Sequence, residues 1–264
     1  MPVLRQWMKN FGAISMILGL LLAVTYLPPD NSLKEAMAGG ALRACVPPSY
    51  PPLVTGEADQ PGIDIEILKE LANRLHISLA LNRNDAIGRD FNPRNWGLNR
   101  AQCQIIAGGV VDSDQTRSFL ETAPAYGKTG WALISPQSVS ELKGLNIGVL
   151  TLVSGLDRIG LATYLRNAGA KVEIVRTPED LLAGIRTRKF DAGITEALLA
   201  TKLASDAQWQ AAWMPAELKR HGLVFGLWKG ELTLKRAIDQ AMKDMMMDGT
   251  IAKIMARYAG APLN

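Results

Sequence analysis

Few side chains in this sequence could do chemistry, and their spacing limits what that chemistry is. Arg117 stands in the stretch GGVVDSDQTRSFLETAPAYGKTGWALI, residues 108–134, after a turn-prone start and a polar run. An arginine at the start of a helix adds a planar, two-pronged donor to the free N–H groups and positive partial charge of the helix end, an arrangement suited to a carboxylate. The same guanidinium could instead pair on the surface with Asp112 or Asp114, a contact worth little. Cys45 and Cys103 are the only cysteines. In an oxidising compartment an even pair suggests a disulfide; the other reading is two buried thiols packing as small hydrophobes. The histidines are His76 and His221 alone, with no close Cys/His spacing, so neither a metal nor a cofactor is expected.

The elements that must position these residues follow from the chain as a whole. Its 264 residues suffice for one large domain or two modest lobes. The net charge of +4 is mild and no lysine/arginine block is present, which argues against nucleic acid as a partner. Arg5 and Lys9 precede an apolar run from Phe11 to Leu27, and Ala36-Met37-Ala38 is a small-residue pattern of the kind that follows a signal peptide. PPDNSLKE sets that pattern rather far from the apolar run, so residues 1–38 read either as a cleaved signal peptide or as an uncleaved single-pass anchor. Both readings export the rest to the periplasm.

The exported part alternates short apolar runs with amphipathic helical patterns, the signature of an α/β sheet. ALRACV, SLALN, CQIIAGGV and GWALI read as strands, and GIDIEILKELANRLH as a helix with Leu68, Leu71, Ala72 and Leu75 on one face. A second block follows: strands NIGVL, VEIV and DAGIT alternate with helices SGLDRIGLATYLRNAG, TPEDLLAGIRTRKF and EALLATKLA. In the second of these helices Thr177 is the expected N-cap and Pro178 the first residue. HGLVFGLW then returns as a strand, and the chain ends in two helices broken at Asp248-Gly249, the first striped by Leu234, Ile238, Ala241, Met242 and Met245. The boundaries read as 39–134 for the first part of lobe 1, 135–221 for lobe 2, and 222–264 for the return to lobe 1, with GWALI and LVFGL as the crossings.

Six of these pieces, in order, resemble the family 3 extracellular solute-binding proteins, the periplasmic receptors of polar amino-acid ABC importers. They are LRACVPPSYPPLV, GIDIEILKELANRL, LNRAQCQIIAGGVVDSDQTR, ELKGLNIGVL, FDAGITE and LWKGELTLKRAIDQAMKDMMMDGTIAKIMARYAG, covering roughly residues 40–260. The resemblance implies a two-lobed, type II binding-protein fold, each lobe a mostly parallel sheet flanked by helices, joined by two hinge strands. It implies a monomer that captures a small polar, amino-acid-like or carboxylate solute between its lobes and serves an ABC permease or a membrane sensor. By the same resemblance Arg117 grips the solute's carboxylate, Ser154 at the start of a lobe 2 helix closes on it, Glu196 meets the ammonium, and Tyr50 in the proline-rich mouth loop stacks on it. Taken alone, Ser154 also reads as a plain N-cap and Glu196 as an acid favoured at a helix N-terminus.

The departures bear on the ligand. Asp114 stands where the family has a threonine in T-x-x-R, Glu196 replaces an aspartate, and Ala101-Gln102-Cys103-Gln104 replaces the usual Gly-x-x-Asp. An acid beside a carboxylate site repels a carboxylate ligand. Two other functions occur on this fold. Cys45 and Cys103 are similar to cysteines of homologues associated with quinoprotein alcohol dehydrogenases, whose role is protein–protein. Periplasmic dehydratases resembling cyclohexadienyl dehydratase would use Glu196 as a general acid, although no acid/base partner is evident.

Overall fold

The computed structural model describes residues 12, 14–22, 29–87, 92–151, 156–259 and 263. The chain divides into two compact units, Met1–Asn31 and Ser32–Asn264. In the first, residues 14–22 are helical and all of them, including Ile17, Leu18 and Leu21, are exposed. Among the described residues no helix is long and apolar enough to cross a membrane.

The second unit carries two five-stranded sheets built on one plan. Lobe 1 opens with helix α1 (Ser32–Ala38), β1 (Ala41–Val46), α2 (Ile63–Arg74), β2 (Ser78–Arg83), β3 (Ile105–Ile106), α3 (Asp114–Phe119) and β4 (Leu120–Thr122). The chain crosses by β5 (Gly127–Thr129) into lobe 2: β6 (Trp131–Ser135), β7 (Asn146–Leu150), α4 (Arg158–Asn167), β8 (Lys171–Val175), α5 (Pro178–Arg186), β9 (Ala192–Glu196), α6 (Ala197–Ala207) and β10 (Gln210–Trp213). It returns by β11 (His221–Leu223) to β12 (Gly226–Trp228), α7 (Leu232–Met247) and α8 (Thr250–Tyr258).

The sheet orders are β2-β1-β3-β12-β4 and β10-β6-β9-β7-β8. In each, the strand arriving from the other lobe is antiparallel to both of its neighbours: β12 between β3 and β4, β6 between β9 and β10. Neither sheet is complete without a segment that has just crossed. The crossings themselves, β5 and β11, pair with each other antiparallel, His221 opposite Thr129 and Leu223 opposite Gly127. The hinge therefore lies a few residues before each of the two expected crossings: GWALI supplies β6 inside lobe 2, and LVFGL leads into β12 inside lobe 1.

Local chemistry accounts for most elements. Helix α2 buries Ile63, Ile67, Leu68, Leu71 and Ala72. Its N-cap, Gly62, sits at φ 105°, and a Cβ there would come within 2.3 Å of the Leu53 carbonyl oxygen, so only glycine fits. Thr177 caps α5 through a 3.1 Å bond from Asp180 N. Helix α7 buries the expected stripe of Leu234, Ile238, Ala241, Met242 and Met245. The run CQIIAGGV yields a strand of only Ile105 and Ile106, because Asn99 turns the chain before it and the positive φ of Gly108 and Gly109 ends it.

Candidate functional site

A buried carboxylate grips each end of the outgoing crossing. In lobe 1, Asp64 is fully buried in the first turn of α2. Its Oδ2 accepts from Gly108 N at 2.7 Å and Gly109 N at 3.3 Å, and its Oδ1 accepts from the Tyr126 hydroxyl at 2.5 Å, just before β5. In lobe 2, fully buried Glu196 accepts from the hydroxyl of Thr129, the last residue of β5, and from Leu199 N at 3.0 Å. Burial raises the Asp64 pKa to about 6 against the lowering effect of its three donors. Burial pushes Glu196 upward as well.

Tyr50 lies beside the Asp64 end. Its ring packs on Gly109, where a Cβ would approach to 2.6 Å, and its hydroxyl is buried without a hydrogen-bond partner among the described residues. Burial, and then the charges of Glu196 and Asp64, raise its pKa well above the usual phenol value. Tyr50 also lines a cavity of about 380 Å³ between lobe 1 and Thr177 and Glu179 of lobe 2. Tyr50 thus faces lobe 2 through this cavity and feels the charge of Glu196. The Glu196 carboxylate is occupied, however: it is the N-cap of α6, the helix-end role its position also suggested. Ser154 lies outside the described residues.

Arg117 sits elsewhere. Its side chain is 57% exposed, and it holds Asp112 with both prongs, Nε to Oδ1 and Nη2 to Oδ2, each at 2.6 Å. Of the two partners open to it in the sequence, Asp112 is the one engaged. That guanidinium holds the Asp112 carboxyl below the usual range. Ser113 is the N-cap of α3, its hydroxyl accepting from Thr116 N, so Arg117 falls in the last turn of this short helix rather than at its start.

Asp112 is the link to a cavity of about 1030 Å³ beside the hinge. Lobe 1 contributes Asp112 and Asp114, lobe 2 contributes Asp157 and Arg158, and the segment leading into β11 contributes Lys219 and Arg220. Both signs of charge therefore face the same space. Burial lowers the pKa of Arg158. Trp131 closes the floor, its indole N–H bonded to the Asp157 carbonyl at 3.2 Å. Arg158, Lys219 and Arg220 carried no motif in the sequence; the start of α4 places the first here, and the segment leading into β11 places the other two.

Cys45 and Cys103 form a disulfide with a Cα–Cα distance of 5.5 Å. Two residues at those positions of fully formed parallel strands would be farther apart. The strand here begins only at Ile105, so Cys103 comes in on the Asn99 turn, over the sheet.

The model of the bacterial extracellular solute-binding proteins, family 3, matches residues 42–261. The chain belongs to that family. Among relatives of this solute-binding protein, the L-cystine-binding protein TcyJ of Escherichia coli (strain K12) is 23% identical, with 97% of this chain and 96% of the relative covered. The arginine-binding extracellular protein ArtP of Bacillus subtilis (strain 168) is 25% identical over 79% of this chain and 82% of its own. A solved structure of an ancestral cationic amino acid solute binding protein superposes with a TM-score of 0.73 at 18% identity, covering 86% of this chain and 99% of the other. That likeness is one of fold: two lobes, each a sheet flanked by helices.

Proposed function

We propose that this solute-binding protein captures a small polar, amino-acid-like solute between its lobes and passes it to an ABC importer in the membrane. The observation that carries the reading is the mixed-charge cavity beside the hinge, with Asp112 and Asp114 on one lobe facing Arg158 on the other. A zwitterion finds both partners there, and contact with both lobes is what couples binding to closure. The cystine- and arginine-binding relatives support the same solute class. Arg117 is the anion clamp in this reading, and Asp112 holds its fork while no solute is bound. Tyr50 and Glu196 seal the lobes behind the solute, and Ser154 closes from lobe 2. Titration calorimetry against a panel of amino acids that includes L-cystine and L-arginine tests it: one tight, saturable partner is expected.

A second reading, a protein–protein role with an empty cleft, is favoured by one observation. The charged groups expected to meet an amino acid, Arg117 and Glu196, are both engaged by the protein itself. Absence of heat across the whole panel would favour this reading over the first.

A further inference from the structure

Helix α1 is built into the body. Helix α7 starts at Leu232, and its N-cap, Glu231, makes no side-chain capping bond. The acceptor comes instead from Ser32, whose Oγ takes the Leu234 N–H at 3.2 Å. The favour is returned: Thr233 Oγ1 accepts from Leu33 N at 3.2 Å in the first turn of α1, and the two hydroxyls are 3.1 Å apart. Each helix start is thus capped by a hydroxyl of the other, two hundred residues away in sequence. Ala36 is 1% exposed in the main core, and Leu33 packs on the same core.

The chain after Ala36 reads as a helix end. Gly39 N bonds to the Glu35 carbonyl at 2.9 Å and Gly40 N to that of Met37 at 3.1 Å. Gly40 has φ 67°, the left-handed glycine that stops a helix. The Gly40 carbonyl then accepts from Ser78 N at 3.0 Å, which fixes the start of β1 beside β2. Ala36 is therefore accounted for by packing, and Gly39 and Gly40 by the turn, while Ala38 is exposed.

We propose that α1 is retained in the exported protein and that Ala36-Met37-Ala38 is a helix terminus rather than a processing site. A cut after Ala38 would remove Ser32, strip the acceptor from Leu234 N, and uncover the face of α7 on which α1 lies. Any processing then falls before Ser32. The test uses the full chain with a C-terminal tag, exported in a Gram-negative host, its first residue found by terminal-peptide mass spectrometry. A first residue at or before Ser32 is expected, and Ala38→Leu should leave it unchanged. Ser32→Ala should lower Tm by about 2–4 °C, the effect of one lost cap in a body of this size. A first residue at Gly39, or an Ala38→Leu variant that accumulates as an unprocessed precursor, overturns the proposal. None of these readouts depends on the solute, so they stand apart from the calorimetry.

Discussion

At Arg117 a carboxylate of the protein and a carboxylate of the solute would compete for one planar fork. Asp112 holds that fork bidentately, and Asp112 itself lines the cavity. If Arg117 is the clamp, Arg117→Ala removes the solute's charge-assisted pair, and affinity for the solute found by calorimetry should fall roughly thirtyfold or more. Tm without solute should hardly move, because an exposed ion pair contributes little to folding. Asp112→Asn separates clamp from mere surface pair. It leaves the neighbouring backbone bond from Asp112 N to the Gly222 carbonyl available and frees the guanidinium. Affinity for a carboxylate-bearing solute should then rise several-fold, with Asp114 left in the cavity as the acid for its ammonium group. Unchanged affinity in both variants would remove Arg117 from the site.

The elements show which parts of the fold the sequence made legible. Helices α2, α5 and α7 were readable because spacing, caps and breaks are local: Leu68, Leu71 and Ala72 lie one turn apart, and Thr177-Pro178 marks its own helix start. Strands β4, β5 and β10 were not, since three or four residues carry no period. Helix α1 was hidden because it follows an apolar run and its partner, α7, lies some two hundred residues on. The site was half legible. Tyr50 lines an interlobe cavity, but Arg158, Lys219 and Arg220 are assembled beside the hinge only by topology. The disulfide was open in sequence because its outcome turns on where β3 begins. It ties β1 to the turn before β3 across a separation of 58 residues. Loop-closure entropy for that span gives an upper figure of about 4 kcal/mol. Reduction, or a paired Cys45→Ala and Cys103→Ala variant, should lower unfolding free energy by about 2–4 kcal/mol in denaturant titrations, and thiol titration of the denatured, unreduced protein should find none.

For the molecule as a whole, the two carboxylates flanking β5 set how stability follows pH. Asp64 holds the end that leaves lobe 1, through Tyr126, and Glu196 holds the end that enters lobe 2, through Thr129. Both are raised in the folded state by burial. A carboxyl with a raised folded pKa binds its proton more tightly folded than unfolded, so its protonation favours folding. For Asp64 that contribution is fully present below its ordinary 3.8 and is lost as pH climbs to about 6. The interval corresponds to about 3 kcal/mol. Asp112 and Asp248 run the other way: their partners lower them, so their contribution is present above the ordinary carboxylate range and disappears as pH falls below it. Stability should therefore rise as pH is lowered from 7 toward 5, pass through a maximum, and fall in stronger acid. Asp64→Asn should flatten the rise, because the amide oxygen can still accept from Gly108 N or the Tyr126 hydroxyl without carrying a charge. Urea unfolding at pH 7.5, 5.5 and 4.5 on both proteins decides it. Equal stability of the unmodified protein at the first two values, or an equal rise in both proteins, would show that Asp64 is not the group that titrates, and that the grip on β5 does not depend on its proton.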